Sequence, residues 1–354
     1  MQLAENAPLA PYTTIGLGGP ARYLAECAGS DDVQEALGLA REQHLPVQVM
    51  GGGSNLIFPD AGFPGVVLRV ASRGIAFRDE RDGVAVTAAA GEPWDGLVAE
   101  SVRRDLAGLE CLSGIPGTVG GTPIQNVGAY GQDIAGTLVS ATCLARDTLE
   151  PVTFTNADCG FGYRSSRFKR EDRDRYVVTE VTYRLRRGGG PELRYPELAT
   201  AVSARREPLT VRLVRETVLA LRRGKAMVLN PGDPNTRSVG SFFLNPVLSP
   251  AAFAEVEQRW RAGGGTAPIP TFRAGAGIKV PAAWLVERAG FRKGQRTGGA
   301  GISSRHALAL VNFGGTTAEL LALAREIEQA VEQRFGVRLE REPVVVEETV
   351  KSEK

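Results

Sequence analysis

The chain of 354 residues has two histidines, His44 and His306, and four cysteines, Cys27, Cys111, Cys143 and Cys159, with no CxxC pair among them. That scarcity excludes a structural zinc site of the usual Cys/His spacings and makes a Ser-His-Asp hydrolase a poor fit. The chain also lacks a GxSxG elbow, a glycine loop ending in Gly-Lys-Ser/Thr and a GxGxxG opening a helix, so the α/β-hydrolase, P-loop and Rossmann signatures are absent. Charge of one sign is missing too. Basic residues number 42 and acidic residues 40, a net charge of +2, so no global field favours nucleic acid or an anionic membrane. No apolar run reaches membrane-spanning length, and the start, MQLAENAPLAPYTT, has neither the basic nor the apolar region of a secretory signal. A cytoplasmic protein with reduced, mostly buried thiols and no bound metal is expected.

What the chain has is glycine, 43 in all. Residues 113–133 read SGIPGTVGGTPIQNVGAYGQD, six glycines with a single charged side chain. A core strand would not tolerate so many glycines, and a flexible linker would not need the interleaved Ile115, Pro116, Val119, Ile124 and Val127. The composition suits a wall that lets backbone N–H groups approach a large, partly anionic ligand. A second stretch, Gly51-Gly52-Gly53-Ser54-Asn55, follows the apolar run 47–50 and offers the same chemistry. Each alone could be an ordinary turn; two uncharged loops so close together favour the ligand reading.

Apolar spacing predicts helices over 31–44 behind a Ser30/Asp31 cap, 93–104, 210–223 and 316–335, the last capped by Thr316 or Thr317 and stopped by Gly336. Strands are expected at 47–50, 66–70, 84–89, 138–145 and 176–185. Short strands mixed with few helices argue an α+β fold over regular βαβ winding. The run 188–191 reads as a mobile connection, residues 337–347 as a returning strand, and 347–354 as a charged, frayed tail.

The order of residues in IPGTVGGTPIQNVGAYG resembles the flavin-binding segment of the UDP-N-acetylenolpyruvoylglucosamine reductase family, and GGGSN resembles that family's other pyrophosphate loop. The likeness continues through GYRSSRFK (162–169), GSFFLNP (240–246) and AWLVE (283–287) and ends at LERE (339–342). These blocks stand in family order across most of the chain. The resemblance implies an FAD-binding domain of the vanillyl-alcohol-oxidase type in two subdomains, 1–65 and 66–208, a smaller α+β substrate-binding domain, 209–335, and a C-terminal segment, 336–354, returning to the active site.

The same resemblance implies site residues. FAD would be held noncovalently, since neither histidine lies in a glycine loop, by Gly51, Gly52, Gly53, Ser54, Asn55, Leu56, Ile115, Pro116, Gly117, Gly120, Gly121, Thr122, Ile124, Asn126, Gly128 and Ala129. The implied reaction reduces an enolpyruvyl ether with hydride from NADPH. It needs a group to stabilise an enediolate and a proton donor for the carbon beside the carboxylate. Arg164 matches the first, assisted by the acid at Glu342 or, since the local run is LEREP, at Glu340. Ser241 matches the second. Substrate contacts fall on Tyr163, on Tyr195 in a mobile loop, on Arg222 and Lys225 for the pyrophosphate, on Asn245, and on Arg288, which stands where many relatives carry Gln. A monomer acting on a UDP-sugar and NADPH is expected. A flavin oxidase acting on a sugar or lactone, or an inactive flavin- or UDP-sugar-binding protein, stays open at this stage.

Overall fold

The computed structural model describes residues 1–347; the expected frayed tail beyond Glu347 lies outside the described residues. The chain opens with β1 (Gln2–Pro8), β2 (Pro20–Cys27), α1 (Ser30–Glu42), β3 (Val47–Met50), β4 (Leu56–Ile57) and β5 (Phe63–Val70). Four of these strands form a sheet in the order β1-β2-β5-β3, in which β5 runs parallel to both β2 and β3. Helix α1 buries Val33, Ala36, Leu37 and Ala40, the expected stripe. Its cap differs from expectation. Gly29 is the N-cap and Ser30 lies inside the helix, because the first turn is served by Asp32, whose carboxylate accepts the Ala28 N–H at 2.7 Å and pairs with the amino terminus of Met1 at 2.7 Å.

A mainly antiparallel layer follows: β6 (Ile75–Glu80), β7 (Gly83–Ala89), α2 (Trp94–Arg103), β8 (Leu106–Ala107), β9 (Gly128–Ala129), β10 (Gln132–Asp133), β11 (Leu138–Ala145), β12 (Pro151–Thr155) and β13 (Tyr176–Arg187). Its strand order is β12-β11-β13-β7-β6. Val84, Val86 and Ala88 of β7 and Val181, Tyr183 and Leu185 of β13 alternate inward, and α2 closes the core with Trp94, 1% exposed, whose indole N–H reaches Leu112 O at 3.1 Å. Removing a side chain of that size from such a site typically costs about 3–5 kcal/mol.

The run 188–191 is irregular and leads to α3 (Pro196–Ala204) and α4 (Val211–Gly224). Thr210 caps α4 through its hydroxyl, which accepts the Leu213 N–H. Helix α4 buries Leu213, Val214 and Val218 against Leu198, Val202 and Cys111. It is tied to α2 by a bidentate Arg215–Asp95 pair at 2.6 and 2.9 Å. Although α4 follows residue 208, it packs on the first half of the molecule.

The remaining elements are β14 (Val247–Leu248), α5 (Pro250–Ala262), β15 (Phe272–Ala274), β16 (Gly277–Lys279), α6 (Ala282–Arg288), β17 (Arg296–Thr297), β18 (Ala300–Ile302), β19 (Leu310–Asn312), α7 (Thr317–Phe335) and β20 (Val344–Val345). A second core gathers Phe242, Phe243, Leu285, Val286, Leu320, Ile327 and Phe335, and it includes Ile15, Leu17 and Ile57 from the first part of the chain. Helix α7 starts with a capping box of Thr316 and Glu319 and ends at left-handed Gly336, φ 71°. The expected returning strand is much shorter than 337–347. Val344–Val345 alone forms a ladder, parallel to β4, and Phe243 bridges Arg341. Pro343, which has no N–H to donate, separates the two contacts. The α+β class holds throughout.

Candidate active site

Both glycine loops face one cleft of about 1000 Å³. Every position expected to meet the cofactor, Asn126 apart, lines it. The wall 113–133 hangs on main-chain bonds to its support: Gly120 N–H to Ala90 O, Val119 N–H to Glu92 O and Trp94 N–H to Gly117 O. Thr122 donates its hydroxyl to Val119 O at 2.7 Å, so the buried Tyr183 hydroxyl, 2.6 Å away, must donate to Thr122. Asn126 serves the wall from behind. It is 5% exposed with φ 48°, donates to Gly162 O and accepts the Ala135 N–H, so it braces the loop and does not reach the cleft.

The second loop supplies the polar floor. No main-chain N–H of residues 51–55 has an acceptor among the described residues. Five consecutive free donors around a left-handed glycine make a nest for an anion such as a pyrophosphate. The glycines are obligatory here for different reasons. A Cβ on Gly53 (φ 61°) would stand 2.0 Å from Tyr12 O, and one on Gly52 would stand 2.8 Å from Gly117 Cα. A Cβ on Gly121 would meet nothing within 4 Å, because it points into open space.

At one end of the cleft Arg164, Glu342 and Ser241 come together. Arg164 adopts φ 50°, an uncommon conformation for a side-chain-bearing residue. It is held by mutual Gly162–Ser165 main-chain bonds and by Lys169 Nζ, which donates to its carbonyl at 3.3 Å. The guanidinium donates to Gly128 O and lies with Nε 3.1 Å from Glu342 Oε1. Burial pushes the Glu342 carboxyl above its ordinary value, against the opposing pull of Arg164 and Lys169. Ser241 follows Gly240 (φ 79°) and is flanked by the buried Phe242 and Phe243. Phe242 N–H bonds Leu308 O, Glu342 N–H bonds Phe242 O and Leu244 N–H bonds Glu340 O, so the serine and the acid sit on adjoining strands of backbone. Of the two candidate acids, Glu342 pairs with Arg164; Glu340 is exposed.

The cationic end is built by α4. Arg222 lines the cleft with its Nε buried and without a partner, while Nη2 donates to Met227 O at 2.8 Å. Burial pushes this guanidinium down from its ordinary value, yet it stays a cation. Lys225 pairs with Glu197 at 2.7 Å, and Tyr195 packs edge-on against Tyr130 with ring centroids 5.5 Å apart. Tyr163 and Asn245 stand outside the lining. Asn245 Oδ1 accepts the Ala282 N–H at the start of α6, its Nδ2 lies 3.5 Å from the Tyr163 hydroxyl, and Lys279 Nζ sits 4.2 Å above the Tyr163 ring. Arg288 does not join the site. It is exposed in the last turn of α6, beside Trp260.

His306 and Gln125 are among the cleft residues that sequence reasoning missed. His306 lines the cationic end; its Nδ1 accepts the Leu308 N–H, which places the neutral ring's proton on Nε2. Burial with the nearby Lys225, Lys293 and Arg222 pushes it down to about 4. Gln125 contacts Glu342. SSRHALAL carries no motif, whereas Gln125 lay inside the recognised glycine wall, where its polar side chain among apolar neighbours was a usable signal.

The fold and a cleft walled by two uncharged, N–H-rich loops define a flavin-binding protein, and residues 21–149 match the FAD binding domain family. Residues 233–346 match the C-terminal domain of UDP-N-acetylenolpyruvoylglucosamine reductase. The chain is 48% identical to the UDP-N-acetylenolpyruvoylglucosamine reductase of Streptomyces coelicolor, covering 98% of this chain and 91% of that one. It is 48% identical to the enzyme of the same name from Thermobifida fusca, covering 97% and 98%. The crystal structure of the reductase (MurB) from Thermus caldophilus superposes with a TM-score of 0.63 at 26% identity over 97% of this chain and 98% of that one. The chain belongs to the UDP-N-acetylenolpyruvoylglucosamine reductase family.

Proposed function

We propose that the chain catalyses the FAD-dependent, NADPH-driven reduction of UDP-N-acetylglucosamine enolpyruvate to UDP-N-acetylmuramate, a step of peptidoglycan precursor synthesis. The observation that carries this reading is one cleft with an anion nest in its floor and the Arg164–Glu342 pair beside Ser241 at its end. The residues fit FAD: the free N–H groups of 51–55 would take the pyrophosphate, and the glycine wall leaves open space at Gly121 for close approach. When bound, FAD accepts hydride from NADPH and delivers it to the terminal methylene carbon of the enolpyruvyl group.

Arg164 holds the substrate carboxylate and stabilises the charge that spreads into it as hydride arrives. Glu342, in the protonated form that burial favours, donates a hydrogen bond to the same group. The Ser241 hydroxyl gives its proton to the carbon beside the carboxylate, so hydride and proton together saturate the double bond and the enol ether becomes a lactyl ether. Arg222 and Lys225 take the substrate pyrophosphate, Tyr195 folds over it from the start of α3, and Tyr163 with Asn245 forms the rim that the nucleotide sugar passes. NADPH uses this same cleft before the substrate does.

Residues 1–65 and 66–208 supply the cofactor half and 209–335 the substrate half, with α4 the element of the latter that packs on the former; residues after 335 return the acid. All these groups belong to one chain, so a monomer would suffice for the reaction. The four buried, unpaired thiols suit the reducing cytoplasm. No helix among the described residues is long and apolar enough to cross a membrane.

The test is spectral. Purified protein should be yellow, bleach with NADPH without oxygen, and regain colour on adding the enolpyruvyl sugar. Colour restored by oxygen and not by that sugar would favour an oxidase; a flavin that NADPH never bleaches would point to a binding protein.

A further inference from the structure

Gln125 stands where the two flavin loops and the C-terminal segment meet. Its carboxamide oxygen accepts a hydrogen bond from Asn55 Nδ2 at 3.2 Å, and its Nε2 approaches Glu342 Oε1 at 3.4 Å. The other Asn55 amide proton goes to the main-chain carbonyl of Glu342 at 3.3 Å, and the Asn55 carbonyl accepts the Val344 N–H at 2.9 Å. The Gln125 amide therefore has one usable orientation. Flipped, it would set its NH2 against the NH2 of Asn55 and turn its oxygen toward a carboxylate.

We infer that Gln125 is a positioning residue for Glu342, directing the acidic proton onto Oε2. The inference rests on the role proposed for Glu342. Oε1 faces both Arg164 Nε, at 3.1 Å, and the Gln125 NH2, whereas Oε2 has no protein partner among the described residues. An oxygen that already faces two N–H donors is the poorer site for a proton, so the protonated acid carries its hydrogen on the free oxygen. Arg164 alone would leave the carboxyl free to rotate about its last torsion, which is soft. The second donor, anchored through Asn55, removes that freedom. The charged groups facing Glu342 are Arg164 and Lys169; on its own segment Glu340 is exposed and Arg341 is occupied by Glu328. Gln125 thus adds a neutral donor to a site whose charges already lie on other elements.

The test compares Gln125→Met, close in shape but unable to donate, with Gln125→Glu, which puts a second carboxyl beside the first. Two readouts are followed on the flavin-loaded protein: the titration of the Glu342 carboxyl by ¹³C NMR, assigned by its loss in Glu342→Gln, and the high-pH limb of flavin reoxidation by the enolpyruvyl sugar. Loss of a donor to the carboxylate raises its pKa and a like charge raises it more. Both readouts should move upward together, by about half a unit to one unit for Met and further for Glu. If Gln125 merely braced the loops, the variants would lose flavin or rate with the midpoint unmoved, and that result would overturn the inference. If Glu342→Gln keeps the wild-type limb, the role of Glu342 itself fails, a result separable from the behaviour of the Gln125 variants.

Discussion

Arg164 and Glu342, far apart in the chain, meet with Nε 3.1 Å from Oε1, although burial holds the carboxyl above its ordinary value. A salt bridge in full strength would do the reverse. Here desolvation of the carboxyl outweighs the guanidinium, whose other donors go to Gly128 O and Asn126 O.

This balance fixes a pH response. A carboxyl with a raised folded-state pKa contributes stability below its unfolded value and loses it as pH rises through the raised one. Thermal melts of wild type and Glu342→Gln from about pH 5 to about pH 9 should therefore diverge, the variant gaining on wild type as pH rises. Reoxidation of the reduced flavin by the enolpyruvyl sugar should slow over the same window in wild type. Parallel melting curves would mean that Glu342 is ionised throughout.

Ser241→Ala should separate the two half-reactions. Hydride transfer from NADPH needs no hydroxyl donor, so bleaching should proceed normally. Return of colour with the enolpyruvyl sugar should slow by about 10²- to 10⁴-fold, with part of the rate restored by Ser241→Cys. Stopped-flow absorbance without oxygen reads both steps; reoxidation at the wild-type rate in the Ala variant would reassign the donor.

The glycine loops should fail in two distinguishable ways. Gly53→Ala forces a Cβ against Tyr12 O at a left-handed position, so it should lower the melting temperature of the flavin-free protein as well as flavin content. Gly121→Val enters open space and should lower flavin content alone. A flavin-free melting point that falls equally in both would show that Gly121 is structural.

How far the sequence carried these points depends on whether the deciding neighbours are local. The glycine wall, β11 and the capped α4 and α7 were readable because composition, alternation and caps lie within a dozen residues of one another. The returning strand was overdrawn because its partners, Asn55, Ile57 and Phe242, lie far away in the chain and Pro343 interrupts it. Asn126 and Arg288 were placed by motif position, which does not say which way a side chain turns; one braces the wall from behind and the other faces solvent. His306 depends wholly on its burial beside Arg222 of α4, Lys225 and Lys293.

Asp95 receives both the Gly114 N–H, at 2.6 Å, and the Arg215 guanidinium. The glycine wall and the helix carrying Arg222 and Lys225 are thereby bolted to one carboxylate, as though α4 had been lent to the first half of the molecule. For anyone exchanging modules between relatives, the seam lies after α4 rather than before it. A chimaera joined at residue 209 would import a foreign α4 onto Asp95, while one joined in the loop after Met227 would keep cradle and cations as a matched set.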